Sequence, residues 1–191
     1  MTGDVDPRVR KSRDAVLTAA IELFVAGGPA AVTVEAVSEE SGVAKTTIYR
    51  HWTDRAHLLA DTYRACLPTI ENPDPGRDAV RGLADVVGSL VVAMGAHPTR
   101  RALPYLISTP LDPVESQVLP DGLLDQTFAP LVQALHECIS RGVIRSNTDV
   151  AEAKHQIVGL LIASALDPSC TMDALLADRT MQLFLDSRTA H

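Results

Sequence analysis

From Arg8 to Val25 the apolar residues Ala15, Val16, Ala19, Ala20, Leu23 and Phe24 recur at helical spacing and form one stripe, which predicts a first helix. Gly27-Gly28-Pro29 stops it. Thr33 is placed to cap a short second helix, Val34 to about Glu40, with Glu35 in its first turn. Ser41-Gly42-Val43 reads as a tight turn, where Gly42 suits a left-handed position that a side chain resists. A third short helix follows over about Ala44 to His51, and Asp54 can cap a fourth, Arg55 to about Cys66. The run Leu67-Pro68 and the stretch Glu71-Asn72-Pro73-Asp74-Pro75-Gly76 then break the pattern, which predicts two domains, 1–66 and 67–191.

Beyond that break the spacing predicts a long helix from Arg77 to Ala96 and a short one from Pro98 to before Pro110. One or two turns are expected over Pro113–Leu119, and an amphipathic helix over Asp121–Arg141, interrupted or bent near Pro130. Gly142 ends it, Arg145-Ser146-Asn147-Thr148 is a turn, and helices Asp149–Leu166 and Met172–Arg188 follow. No alternating run demands a sheet. The expected fold is all-α, with about nine helices.

Composition agrees. Aromatic residues are only 4% of the 191, while alanine and leucine are abundant, which favours helices over strands. No apolar run approaches the ~20 residues of a membrane span, and Met1–Lys11 lacks the apolar core of a secretory signal, so the expected location is the cytoplasm, with no membrane partner. Cys66, Cys138 and Cys170 are odd in number and widely spaced, which fits single buried thiols better than disulfides or a zinc site; no metal or cofactor is expected. The net charge of −7 speaks against a nucleic-acid partner until it is divided. Residues 1–66 hold 8 basic and 9 acidic side chains, so most of the acidity lies in the second part, and DNA affinity depends on where Lys and Arg point.

Two short helices joined by a glycine-containing turn form a helix-turn-helix, whose second helix enters the major groove. Here that helix is Ala44-Lys45-Thr46-Thr47-Ile48-Tyr49-Arg50-His51. Lys45 can reach a guanine edge or a phosphate, Thr46 a base edge or thymine methyl, and Thr47 and Tyr49 phosphate oxygens, while Ile48 packs inward. Thr33 and Arg55 each lie at a helix start, where free backbone N–H groups favour phosphate. Lys45 and Arg50 alone would read as solvated charges, and Trp52 most simply as a core ring. A Gly-rich phosphate loop, a Gly-x-Ser-x-Gly elbow and a His-Glu-x-x-His motif are all missing, so no enzyme is expected.

The segments Thr33-Val34-Glu35-Ala36-Val37, Ser41 through Trp52, Asp54-Arg55 and Leu58-Leu59 resemble the amino-terminal domain of the tetracycline-repressor (TetR, AcrR-like) family. The resemblance implies an amino-terminal three-helix DNA-binding domain with the helix-turn-helix, followed by a helical ligand-binding and dimerisation domain. It implies a homodimer on a palindromic duplex operator, with Thr33, Lys45, Thr46, Thr47, Tyr49, His51 and Arg55 at positions that contact DNA. Three positions depart from the pattern: Arg55 replaces a usual lysine, Ala44 a common serine cap, and Trp52 a phenylalanine.

The resemblance also implies a small-molecule pocket in the later helices. Its candidate lining is Leu90, Met94, His97, Leu103, Tyr105, Ile107, Phe128 and Leu131, with simple core as the alternative. Such a lining suits an apolar or weakly polar effector. The last two helices would form the four-helix dimer contact, with Ile157, Leu161, Leu176 and Phe184 as candidate interface residues. The expected function is a transcriptional regulator, a repressor released from its operator by an effector. An activator of the same family and a helical scaffold without DNA binding are the alternatives.

Overall fold

The computed structural model describes residues 7–74, 76–108 and 121–188, so the expected turns at 113–119 lie outside the described residues. Among the described residues the regular structure is nine α-helices and one 3-10 turn, with no strand. These residues group into two compact units: those up to Leu67 with Arg101–Asp121, and Pro68–Arg100 with those from Gly122 onward.

In the first unit α1 (Pro7–Gly27), a 3-10 turn (Pro29–Ala31), α2 (Val34–Ser41), α3 (Lys45–His51) and α4 (Arg55–Cys66) follow one another closely. α1 packs on α2, α3 and α4. Its stripe of Val16, Ala19, Ala20 and Phe24 is buried, together with Ile48, Trp52, Leu58, Leu59 and Tyr63 from the later helices. Each large side chain so removed from water contributes roughly 1.5–3 kcal/mol. The Phe24 ring meets Tyr63 edge-on at 5.1 Å and Tyr105 at 5.6 Å. Gly28 ends α1 at φ +71°, and a Cβ there would stand 2.6 Å from the Tyr105 ring, so both backbone conformation and space require glycine.

In the second unit α5 (Ala79–Gly95) packs against α7 (Leu123–Ser140), α8 (Val150–Leu166) and α9 (Ala174–Arg188). Asp78 caps α5, accepting from the Val80 and Arg81 amides, which is why the helix starts two residues later than the apolar spacing predicts. α5 buries Leu83, Val87, Leu90, Val91 and Met94. α7 continues as helix through Pro130, without the interruption that the sequence allowed there. Proline removes one backbone hydrogen bond, and burial of Leu131, Ala134, Leu135 and Cys138 on the same helix outweighs that loss. α6 (Thr99–Ser108) likewise continues through Pro104. Arg100 fastens the end of α8, donating to the carbonyls of Ala165 and Asp167 at 3.0 Å. No single helix among the described residues is long and apolar enough to cross a membrane.

Candidate nucleic-acid interface

α2 and α3 are held at a fixed angle by a turn whose polar groups are all local. Gly42 takes φ +67°. The Ser38 hydroxyl donates to the Val43 carbonyl at 2.8 Å, and Ser41 donates to Val37 O while accepting from Val43 N–H. Thr33 caps α2, its hydroxyl oxygen accepting from the Ala36 amide at 3.1 Å. α3 starts without a side-chain cap, as alanine at position 44 dictates, and ends where the Trp52 amide donates to Ile48 O.

Exposure around α3 follows the 3.6-residue period. Ile48 is fully buried and anchors the helix, whereas Lys45, Thr46, Tyr49 and Arg50 are exposed along one face. Tyr49 keeps half its surface in solvent, although it is a large aromatic that a core would accept. Thr47 and His51 lie on the flanks, half-buried. The His51 Nε2 atom is buried and meets no hydrogen-bond partner among the described groups, so any phosphate contact by this ring belongs to its other nitrogen.

Two features escaped the sequence reading. Trp52 is buried as expected, but its indole Nε1 also donates to Asp61 Oδ2 at 3.0 Å, and the Arg13 guanidinium stands 5.5 Å above its ring. Asp61 further receives Arg13 and Arg64, each at 2.9 Å, so α1, the end of α3 and α4 converge on one carboxylate. Burial pushes the Asp61 pKa up, but the Trp52 and Arg64 hydrogen bonds and the two arginine charges together hold it below the ordinary 3.8. The second feature is Arg55, placed by sequence as a phosphate contact. Its Nε donates to Val32 O at 2.8 Å and its Nη2 to Pro29 O at 2.6 Å, pinning the 3-10 turn to the start of α4. Local sequence signals announced neither, because every partner except Arg64 lies 9 to 48 residues away.

The candidate pocket and interface residues sit as follows. Leu90, Met94 and Leu131 are core of the second unit, Phe128 is half-buried and His97 exposed. Leu103 is buried, Tyr105 half-buried and Ile107 exposed in the part of the chain that groups with the first unit. Cavities in the second unit are lined by other residues. One of about 100 Å³ lies among Pro73, Asp78, Gly82, Gln133 and Glu137, and one of about 120 Å³ between α8 and α9. Ile157, Leu161 and Phe184 are buried within their own unit and Leu176 is half-buried; the apolar residues exposed on α8 and α9 are Leu160, Leu166, Leu175 and Leu183.

Residues 16–62, which span the end of α1 through most of α4, match the family described as bacterial regulatory proteins of the tetR family. An HTH-type transcriptional regulator of Bacillus subtilis, YdeS, is 27% identical over 166 residues, covering 80% of this chain and 77% of its own length. One from Mycobacterium tuberculosis is 26% identical over 167 residues, covering 86% and 81%. The same fold recurs in a fatty acid degradation regulator, FadR, from Bacillus halodurans (TM-score 0.73, 16% identity, covering 95% of this chain and 96% of that one). It recurs also in FadR from Bacillus subtilis in complex with stearoyl-CoA (TM-score 0.70, 18% identity, covering 94% and 100%). A helix-turn-helix with an exposed polar reading face is thus built within the segment that is similar to the tetR family, in a chain similar over most of its length to HTH-type transcriptional regulators.

Proposed function

We propose that the protein is a homodimeric repressor that holds a palindromic duplex operator through α3 and releases it on binding a small molecule. The observation that carries the DNA half is the row Lys45, Thr46, Tyr49 and Arg50, exposed on a short helix locked by fully buried Ile48. Lys45 and Thr46 reach base edges, while Thr33, Thr47, Tyr49, His51 and the remaining donors of Arg55 position the phosphates. As the chain carries a net −7, close approach depends on this local face rather than on overall attraction.

The effector half rests on the second unit. Leu90, Met94 and Leu131 fill the space between α5 and α7, so an apolar or weakly polar molecule would enter by displacing side chains, with Phe128 and His97 at the edge. Support comes from similar folds: one solved structure holds stearoyl-CoA, and another, FrrA, is a flavonoid-responsive regulator. Leu103, Tyr105 and Ile107 have no part in this proposal. The dimer contact is assigned to the outward leucines of α8 and α9, Leu160 and Leu183, on either side of the groove between these helices. No catalytic step and no cofactor is invoked, and the site of action is the cytoplasm.

Selection of bound sequences from a random duplex library, followed by titration of the winner at several salt concentrations, tests this reading. A palindrome whose binding weakens steeply with salt is the expected result. Addition of flavonoids is then expected to weaken binding at least ~fivefold, the lower end of ordinary coupling. No enriched sequence would overturn the function and leave a helical scaffold.

A further inference from the structure

Glu35 stands in the first turn of α2 and Lys45 opens α3, and the turn between these helices brings them together: Lys45 Nζ donates to Glu35 Oε1 at 2.9 Å. Both remain in solvent, with side chains 50% and 67% exposed for Lys45 and Glu35. The hydrogen bond from Lys45, then the Glu35 backbone amide, then the Lys45 charge hold the Glu35 carboxyl below its ordinary range, so it stays an anion and an acceptor at neutral pH. A carboxylate beside the first residue of the reading helix is unfavourable wherever that face meets only phosphates. It suits a base edge that offers a donor.

One edge of the major groove complements this pair. In a G·C pair, guanine presents two neighbouring acceptors, O6 and N7, and cytosine presents the N4 donor, with N4 and O6 about 2.9 Å apart across the pair. An ammonium beside a carboxylate at the same separation meets acceptor and donor in register. An A·T pair also sets a donor, adenine N6, across from an acceptor, thymine O4, but it serves less well: N6 is flanked by the N7 acceptor, which repels a carboxylate, and thymine offers the ammonium one acceptor where guanine offers two. We propose that Lys45 and Glu35 read one G·C pair of each half-site as a unit, Lys45 donating to guanine and Glu35 accepting from cytosine N4, which makes Glu35 a specificity-determining residue. This rests on the operator-binding reading above. On other sequences Glu35 keeps Lys45 engaged and repels phosphate, so it also suppresses non-specific binding.

The test uses the full chain and its Glu35→Gln, Glu35→Ala and Lys45→Ala variants, each taken through library selection and titrated on the selected duplex and on an unrelated duplex of equal length. The wild type is expected to select a G·C pair at one symmetric position, and all three variants to relax that same position about tenfold or more. Glu35→Gln is further expected to admit adenine there, since an amide pairs with N6 and N7, and both Glu35 variants to bind the unrelated duplex about threefold tighter. The inference is overturned if the Glu35 variants keep the base preference that Lys45→Ala relaxes, if the two residues affect different pairs, or if the shared position is A·T. Loss of all DNA binding by both Glu35 variants also overturns it, because a discriminating residue is not needed for affinity. If the wild type selects no sequence at all, the operator-binding reading fails first and the inference with it.

Discussion

Trp52 closes α3 and donates to Asp61, and it is the one tryptophan of the chain, so intrinsic fluorescence reports on the joint that orients the reading helix. Asp61 has a folded pKa below its unfolded value, so its contribution is present above the unfolded pKa and is lost as pH falls through the folded one. Asp61→Asn is therefore expected to cost about 1 kcal/mol near neutral pH, since the charge-assisted bonds from Arg13 and Arg64 weaken. The gap to wild type is expected to close as pH drops below 3.8, the ordinary aspartate value. Urea unfolding followed by Trp52 emission at several pH values measures both. The thiols give a second prediction. Burial, then the Glu22 charge, pushes Cys66 up to about 12, and burial, then Asp78 and Glu137, pushes Cys138 up to about 11. At pH 8 a thiol-reactive chromogen is expected to label Cys170 alone in the native protein and the other two only in denaturant. Residue type foretold the buried thiols of Cys66 and Cys138 and the buried Trp52 ring, whereas Cys170 is only half-buried. Residue type did not foretell Asp61, whose partners come from three helices.

Arg55 belongs to α4 but determines how α1 gives way to α2. A guanidinium carries five N–H donors, and two of them hold the Val32 and Pro29 carbonyls, which leaves three to meet phosphate. Arg55→Ala is thus expected to lower stability by about 2 kcal/mol and to reduce the salt slope of operator binding by about one. Arg55→Lys is expected to restore the slope but little of the stability, because an ammonium cannot fork between two carbonyls. Thermal melts and salt titrations separate the two duties, and full recovery of the melting temperature by lysine would refute the staple. Gly28→Ala tests the same corner from the other side. Positive φ and the Tyr105 ring together predict a loss of at least ~2 kcal/mol, read by denaturant unfolding. At this scale the helices were legible because stripes such as Val16–Phe24 and caps such as Thr33 and Asp54 are local signals. The Ser41-Gly42-Val43 turn was legible for the same reason. The interruption allowed for at Pro130 did not occur, because the local cost of proline is visible in sequence while the burial that offsets it is not.

Whether two copies present their reading helices together depends on a face that apolar content alone does not single out. α8 is apolar almost all round: Ile157, Val158 and Leu161 are buried in the unit while Leu160 and Leu166 are exposed. Core and interface draw on the same residue types: Ile157 and Phe184, marked by sequence as interface, are buried in the unit and also line the groove between α8 and α9. Across from Leu160, Leu183 of α9 is 64% exposed, and the two border an apolar groove of about 120 Å³ that also meets Thr180 and Ser187. A two-fold contact along this groove would bring each leucine against its copy's helices and leave charged residues at the rim. Leu183→Glu would then place two carboxylates in the centre of the contact. It is expected to raise the dimer dissociation constant at least ~100-fold, equivalent to about 2.7 kcal/mol, and to lower the melting temperature only through that lost association, because Leu183 contributes little to its own unit's core. Sedimentation at micromolar concentration reads the mass. The same variant is expected to lose tight binding to the palindrome while one half-site still binds weakly, since the second reading helix no longer benefits from the first. An unaltered dimer of Leu183→Glu would place the contact elsewhere on the chain, and a wild-type monomer under these conditions would refute the dimer itself, while either leaves the reading face of α3 untouched.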